Sequence, residues 1–437
     1  MRADPPGIGA SAPGTSPPGT SAPGASARDT PGRIDFGRIE PGFGAAGTLP
    51  PETLLGEAFT PTRPQRTARR FTGRQAQLAR IQRALVQERA HVVIFAERGR
   101  GKTSLSYLAA DHARRAECTV ARFSCAMGTS FDDILRGLMR DLPRNLLSAP
   151  AVADQSGLEG CEAALPAGLL QPRDVLGLPE RLSTRHLVLI VDEFDRLDAE
   201  QTRTRLADTI KQVSDRAIPV SFVLVGVADS LEHLLGHHPS IQRNIVGIPL
   251  PLMADEDIRA VIERGSGEVG LRFMPDLQAR IVQLARGVPY IAQLLSLHAG
   301  SAALDRGSYA VDDVDLDEAV ALALEQTDPH VLNLYAAVTS HGRDPVMVRF
   351  LCMLASGDQD AFGRFRVMSM EEGVPAQPGI GPRLLEQILR AGIVRPCVGA
   401  GPDLFTFAEA GLAPYILLLS DRQPADAGAS PPGFHRG

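Results

Sequence analysis

The sequence predicts an α/β fold in which a parallel sheet is covered by helices on both faces. Two observations predict it. Short apolar runs rich in Val and Ile alternate with segments of helical periodicity, and a glycine-rich turn joins the first apolar run to the next helix. Strands that alternate with helices are parallel, because each helix returns the chain across the sheet. The expected strands are 91–96, 119–124, 187–191 and 220–227.

The composition excludes several classes of protein. The chain has 437 residues, 44% of them apolar, which is enough for more than one core. None of its apolar runs reaches the roughly 20 residues that a bilayer span needs, so we expect no membrane partner. The five cysteines form no CxxC pair and no export signal is evident, which predicts reduced thiols and a cytoplasmic protein. A net charge of −6 argues against a globally basic nucleic-acid binder and leaves a local patch open.

Changes in pattern divide the chain into five expected segments. Both ends are rich in Pro and Gly and lack apolar anchors, so disordered tails are expected at 1–64 and 421–437. The α/β pattern spans 65–252, apart from a Pro- and Ala-rich insertion or surface loop at 143–182. Residues 253–325 show only helical periodicity and predict a small lid. In 326–420, helices precede a hairpin, which predicts a winged-helix-like α+β domain.

The glycine-rich turn has the Walker A pattern of a P-loop. It reads as a small residue, four spacers and then Gly-Lys-Thr, and it lies between a strand and a helix as phosphate binding requires. The turn and the helix N-terminus hold phosphate oxygens, Lys102 reaches the β- and γ-phosphates, and the Thr103 hydroxyl binds Mg²⁺. The expected nucleotide-binding residues here are Ala96, Glu97, Arg98, Gly99, Arg100, Gly101, Lys102, Thr103 and Ser104.

A second pattern, Walker B, follows the apolar run 187–191. Asp192 and Glu193 come directly after it, at the edge of a parallel sheet where ligands gather. Asp192 is expected to orient Mg²⁺ through water, and Glu193 is expected to activate the water that attacks ATP. A solvated acidic loop that continues through Asp195 and Asp198 is the alternative interpretation.

Together these motifs resemble the AAA+ ATPases, in the branch of the origin-recognition-complex and archaeal initiator ATPases, which borders the STAND signalling NTPases. The resemblance runs from Phe71 to about residue 298 and more weakly to 416. Phe71, Gly73 and Arg74 match the FxGR box, which in the family lies against adenine and ribose. Pro289, in Gly-Val-Pro, matches the proline that borders the nucleotide in the STAND branch.

The resemblance also implies two further residues that assist hydrolysis, Asp229 by orienting water and Arg243 by reaching the γ-phosphate. Asp229 matches the sensor 1 position, where the family usually has Asn, Thr or Ser. Arg243 matches the arginine finger, which reaches the nucleotide of a neighbouring subunit, so a homo-oligomer is expected. An ordinary surface arginine in an ion pair is the alternative at this position.

Two functional hypotheses follow from these residues. The first is an ATPase that binds ATP and Mg²⁺ and whose nucleotide state controls oligomerisation and DNA or partner engagement, with Arg383, Arg390 and Arg395 of 326–420 facing DNA phosphates. The second is a STAND-type switch that binds ATP and a protein partner, with slow turnover and no DNA contact. Glu193 favours turnover, whereas the Gly-x-Pro and the weak basic patch favour the switch. A scaffold that binds nucleotide without hydrolysis is a third interpretation.

Overall fold

A five-stranded parallel sheet forms the centre of the nucleotide-binding half of the protein. The computed structural model describes residues 49–66, 70–148, 158–228, 241, 243–339, 344–367, 380–397 and 403–422. Every neighbouring pair in the sheet is parallel, in the order β2-β3-β4-β1-β5, which confirms the predicted α/β class. The strands are β1 (His91–Phe95), β2 (Thr119–Ser124), β3 (Leu187–Asp192), β4 (Val220–Gly226) and β5 (Ile245–Pro249).

Helices cover both faces of this sheet. Alternate residues of the strands enter two separate hydrophobic clusters, with Val93 and Leu189 in one and Val92 and Ile190 in the other. A Ser130–Asp133 capping box starts α4, because each side chain accepts a bond from the other residue's backbone N–H. The helices of this half are α2 (Gln75–Gln82), α3 (Lys102–Arg115), α4 (Phe131–Arg140), α5 (Leu178–Arg181) and α6 (Glu200–Asp215). The first helix, α1 (Pro51–Ala58), belongs instead to the hydrophobic cluster of the lid.

The expectation of a disordered tail through residue 64 is wrong for its last part. Pro51–Ala58 is helical, and the side chains of Leu55 and Phe59 are buried. Phe59 packs so closely against Gly265 that a Cβ there would lie 2.4 Å from its ring. These few apolar residues anchor the segment although its average composition is that of a tail. Residues 1–48 and 423–437 lie outside the described residues.

The Pro- and Ala-rich stretch at 143–182 also differs from the expected surface loop. Residues 158–182 form short 3₁₀ turns and α5, and Leu170, Val175 and Leu182 are fully buried in a cluster with α4 and α6. The apolar residues recur at irregular spacing because the turns are short, so neither helical nor strand periodicity marks them. The described part of the stretch therefore belongs to the core.

The remaining chain forms two parts, the lid and the C-terminal unit. We define the C-terminal unit as residues 329–422. The C-terminal unit contains a three-stranded antiparallel sheet in the order β8-β10-β9. The lid consists of α7 (Asp255–Val269), α8 (Pro275–Ala285), α9 (Pro289–Asp305) and α10 (Asp313–Glu325), with a short parallel pair, β6 (Arg272–Phe273) and β7 (Ala310–Val311). The C-terminal unit consists of α11 (Pro329–Thr339), α12 (Pro345–Ser356), β8 (Arg364–Arg366), α13 (Ile380–Arg390), β9 (Val394–Pro396), β10 (Leu404–Phe407) and α14 (Leu412–Arg422).

The lid and the C-terminal unit share one hydrophobic cluster. Ile281 and Leu295 of the lid belong to the same buried cluster as Phe350, Ile388 and Ile416 of the C-terminal unit. The contacts of the C-terminal unit with the nucleotide-binding half include hydrogen bonds, such as the one in which the N–H of Leu252 donates to the carbonyl of Ala361 at 2.6 Å.

Across the described ranges, every helix is too short or too polar to cross a bilayer.

Candidate nucleotide-binding site

The P-loop lies between the end of β1 and the start of α3. Gly99 and Gly101 have φ angles of 76° and 87°, in the left-handed region that glycine adopts without strain. A Cβ on Gly101 would meet no atom within 4 Å, so conformation rather than space requires glycine there. Because α3 begins at Lys102, the unsatisfied N–H groups of its first turn are in position to bind an anion.

An open cavity of about 530 Å³ lies beside the P-loop and brings most of the predicted residues together. A volume of this size suits a nucleotide-sized ligand. Its lining includes Lys102 and Thr103 of α3, Asp192 and Glu193 at the end of β3, and Pro289 of the lid. The two halves of the predicted site, which are 90 residues apart in sequence (192 − 102), therefore face the same cavity.

Lys102 is held inside the loop. Its Nζ donates a hydrogen bond to the carbonyl of Glu97 at 2.9 Å. Burial lowers the pKa of Lys102 to about 8, against the opposing effect of the nearby Asp195 and Asp192 carboxylates. The ammonium is thus poised to gain stability from an anion that enters the cavity.

Nucleotide affinity is expected to fall as the pH rises above about 8. Bound phosphates stabilise the ammonium and raise its pKa, so binding takes up a proton wherever Lys102 is neutral in the free protein. Affinity should then weaken by up to about tenfold per pH unit until the pKa of the complex is passed. Titrations with a fluorescent ATP analogue from about pH 7 to about pH 10 measure this effect. Lys102→Arg stays charged throughout and should flatten the profile, and a flat wild-type profile would contradict the lowered pKa.

The two carboxylates at the end of β3 have different surroundings. Asp192 is buried, accepts the backbone N–H of Glu193 at 2.9 Å and forms an ion pair with Arg122 of β2. Glu193 has a left-handed backbone (φ 53°), and its side chain is 44% exposed. Its Oε2 lies 3.4 Å from both Ser124 Oγ and Arg196 Nη1. Glu193 therefore presents an accessible carboxylate to the cavity, while Asp192 is fixed in place.

The FxGR residues lie at the junction of the sheet and the lid. Phe71 and Arg74 line a smaller pocket of about 60 Å³. Gly101 and Pro289 line both this pocket and the larger cavity. Gly73 has a φ of 72°, and a Cβ on it would lie 2.9 Å from Met253. Arg74 Nη2 donates to the carbonyl of residue 251, and burial lowers the pKa of Arg74 to about 10. The side chain of Arg74 thus holds the segment that leads into the lid.

Two P-loop side chains face away from the cavity toward the C-terminal unit. Arg100 donates to Glu97 Oε2 at 2.6 Å and to the carbonyl of Phe362 at 3.0 Å. Glu97 Oε1 in turn lies 3.5 Å from Arg395 Nη2, so Arg395 contacts the P-loop, whereas the sequence suggested a role on DNA. Glu97 and Arg100 can therefore offer phosphate only their backbone N–H groups. The Ser104 hydroxyl is also engaged, because it accepts the N–H of Gln65 at 3.1 Å.

Of the two further residues that the resemblance implied for hydrolysis, the structure describes one. Asp229 lies outside the described residues. Arg243 lies just before β5, at the edge of the sheet opposite the P-loop, because β5 runs parallel to β1. Its side chain is 75% exposed and lies 3.9 Å from Asp215. Arg243 therefore lies too far from the cavity of its own chain to contact a nucleotide bound there.

Several lining residues were not predicted. The segment 60–64 crosses the cavity mouth, where Gln293 of the lid accepts the N–H of Thr60 at 3.0 Å, and Tyr290 also lines the cavity. Arg122, the partner of Asp192, gave one signal in the sequence: it is the one charged residue of β2 and lies two residues before the strand ends. Its partner could not be read from the sequence, because the pair is 70 residues apart.

The polar and charged groups around the cavity fit a nucleotide with Mg²⁺. A hydroxyl on Thr103, a carboxylate on Asp192, an ammonium on Lys102 and the N-terminus of α3 all border it. Oxygen ligands suit Mg²⁺, which is usually bound through one or two carboxylates, water and phosphate. The helix N-terminus and the ammonium suit the phosphates.

Comparisons with known proteins point to the same class of site. A family model described as Novel STAND NTPase 1 matches residues 58–306. The RuvB subunit of the Holliday junction branch migration complex from Synechococcus sp. (strain CC9311) is 28% identical over 225 residues, covering 45% of this chain and 59% of that protein. Its counterpart from Prochlorococcus marinus (strain MIT 9303) is 27% identical over 237 residues, covering 48% and 63%. The chain thus spans less than two thirds of these relatives.

Solved structures with similar folds include two archaeal proteins. The Walker-type ATPase paby2304 of Pyrococcus abyssi has a TM-score of 0.49 at 16% identity, covering 82% of this chain and 99% of that one. The ORC2 protein of Aeropyrum pernix, in ADPNP and ADP complexes, has a TM-score of 0.48 at 13% identity, covering 84% and 97%. Similarity at this level carries no information about activity.

Proposed function

The chain belongs to the Novel STAND NTPase 1 family of P-loop NTPases, and from this premise we propose that it binds ATP with Mg²⁺ and hydrolyses it. The observation that carries the proposal is the single cavity shared by Lys102, Thr103, Asp192 and Glu193. Phosphoryl transfer depends on positioning and on charge neutralisation, and these four side chains supply both.

Each residue has a role in the proposed reaction. Lys102 and the first turn of α3 hold the β- and γ-phosphate oxygens. Thr103 and Asp192 hold Mg²⁺, which neutralises charge on the phosphates when bound. Glu193 accepts the proton of the attacking water as a general base, for which its accessible carboxylate is suited. Phe71, Gly73, Arg74 and Pro289 border the base and ribose.

We further propose that the active form is a homo-oligomer in the cytoplasm. Arg243 faces away from the cavity of its own chain and is exposed, so it can contribute to hydrolysis only in a neighbouring subunit. An arginine supplied in trans is a recurrent device for stabilising the charge of phosphoryl transfer. The exposure of Arg243 therefore favours a site completed by a residue of a second subunit over a site formed by one chain alone.

DNA is the partner that we propose for the C-terminal unit, which we interpret as winged-helix-like. Its α13 carries Arg383 and Arg390 on the solvent side, although Arg390 also pairs with Glu386 at 2.5 Å. The curated relatives are subunits of a complex named for Holliday junctions, which are DNA. Together these observations support electrostatic contact with DNA phosphates.

A STAND-type switch is the second candidate, and one contact favours it. Glu97 and Arg100 of the P-loop contact Arg395 and Phe362 of the C-terminal unit, so the C-terminal unit rests on the loop that would bind phosphate. In this form, nucleotide binding controls exposure of a protein-binding surface, and turnover is slow. No DNA contact is then involved.

Steady-state ATP hydrolysis, with and without duplex DNA at two salt concentrations, distinguishes the two candidates. Stimulation by DNA that fades as salt rises is the result expected for the DNA-linked ATPase, because salt screens phosphate contacts. Slow turnover that is indifferent to DNA, with ATP still bound, would favour the switch. Absence of both ATP binding and hydrolysis would overturn the proposed function.

A further inference from the structure

Arg122 links the two parts of the candidate magnesium site. Its guanidinium pairs with the carboxylate of Asp192, the last residue of β3. Its Nη1 donates at 2.9 Å to the hydroxyl of Ser106, which donates at 2.7 Å to the carbonyl of Thr103 on α3. One side chain of β2 therefore connects the Asp192 carboxylate to the backbone of Thr103, and both residues border the same cavity.

The guanidinium is held by more than its ion pair. Its Cζ lies 3.8 Å from the centroid of the Tyr107 ring, within the range of a cation–π contact. The Arg122 side chain is only 15% exposed. With the Tyr107 ring and the Ser106 hydroxyl in contact, Arg122 keeps its position when a second cation approaches Asp192.

Asp192 has its charge balanced before any metal binds. Its side chain is 6% exposed, Oδ2 pairs with Arg122 and Oδ1 accepts the N–H of Glu193. A carboxylate this deeply buried needs a counter-charge, because an unpaired one costs several kcal/mol. Arg122 supplies that counter-charge, and it also repels a dication placed beside the same carboxylate.

From this geometry we propose that Arg122 is a positioning residue that weakens Mg²⁺ binding at Asp192. The phosphates of a bound nucleotide would add the negative charge that the Arg122–Asp192 pair lacks, so Asp192 would hold Mg²⁺ best when the nucleotide is also bound. This inference rests on the proposed function, since it concerns the same ATP and Mg²⁺ site. It differs from a purely orienting role, in which loss of Arg122 would weaken Mg²⁺ binding.

The test is a Mg²⁺ titration of a fluorescent, non-hydrolysable ATP analogue bound to the full chain. In Arg122→Gln, the half-saturating Mg²⁺ concentration is expected to fall about tenfold, because one repelling charge is removed and Asp192 is released. Arg122→Lys keeps a charge at this position and should stay near the wild type. Arg114→Gln, which removes an exposed arginine that pairs with Asp111 on the same helix as Lys102, is the matched control and should not shift it.

Thermal unfolding provides a second readout that does not depend on turnover. Without Mg²⁺, Arg122→Gln leaves Asp192 buried and unpaired, so it should unfold at a lower temperature than the wild type. Mg²⁺ with the ATP analogue should reduce the difference in unfolding temperature between Arg122→Gln and the wild type, because the metal replaces the lost charge.

Tyr107→Leu is a second variant, which leaves the charge of Arg122 in place. It frees the guanidinium to move and should tighten Mg²⁺ binding by less than Arg122→Gln does.

The outcomes separate this inference from the proposed function. A higher half-saturating Mg²⁺ concentration in Arg122→Gln, or no change, would overturn the counter-charge role while leaving the ATP site intact. If Arg122→Gln does not fold, unchanged Mg²⁺ binding in Tyr107→Leu would overturn it instead. Wild-type protein that binds the analogue equally well with and without Mg²⁺ would instead count against the proposed magnesium site itself.

Discussion

Replacing Glu193 with glutamine is expected to slow ATP hydrolysis by a factor on the order of 10² to 10⁴ while ATP still binds, since the amide cannot accept a proton. The described contacts of the Glu193 side chain are with Ser124 and Arg196, neither of which belongs to the P-loop. The charge that holds the phosphates is therefore unaffected. Single-turnover hydrolysis and binding of a fluorescent ATP analogue measure the two effects separately.

Glu200→Gln is the matched control for Glu193. Glu200 is an exposed glutamate at the start of α6, seven positions along the chain (200 − 193), and it does not line the cavity. Its amide variant should hydrolyse ATP at the wild-type rate. Equal hydrolysis by Glu193→Gln and the wild type would rule out Glu193 as the general base and would favour the solvated acidic loop.

Replacing Lys102 with alanine is expected to lower ATP affinity on the order of a hundredfold, because charge-assisted hydrogen bonds to the phosphates are lost. In the nucleotide-free protein, the side chain makes one hydrogen bond, to the Glu97 carbonyl, so the loop should still fold. Isothermal titration with ATP measures the change, and the thermal unfolding midpoint checks the fold.

The chain offers an unusually clean control for this variant. Lys211 is the second of only two lysines, and it is exposed on α6, away from the cavity. Lys211→Ala removes an identical charge and should leave ATP affinity unchanged. Equal affinity in both variants and the wild type would remove Lys102 from the site and, with it, the P-loop assignment.

Local sequence signals predicted the central sheet well. Strands buried on both faces read as continuous apolar runs, so β1 to β4 were recognisable with bounds that differ by no more than a residue from those observed. The fifth strand was missed because Gly247 and Pro249 interrupt its apolar pattern. Such residues are tolerated there because β5 is an edge strand.

The site was predicted where its residues are contiguous, and not where it depends on distant contacts. The P-loop residues follow a strand and start a helix, so their placement can be read locally. The contact of Arg100 with Phe362 spans 262 residues, and that of Arg122 with Asp192 spans 70. Periodicity carries no information on such pairs, which explains why the direction of the Glu97 and Arg100 side chains was not foreseen.

The hydrophobic cluster shared by the lid and the C-terminal unit determines where this protein can open. Separating those two parts would expose buried apolar side chains, whereas the described contacts between the P-loop and the C-terminal unit include polar ones, the Arg100–Phe362 hydrogen bond and the Glu97–Arg395 ion pair. The lid and the C-terminal unit should therefore swing as one rigid body. The segment 250–254, which joins β5 to α7, leads into that body, and the hydrogen bond from Leu252 to Ala361 holds the segment to it.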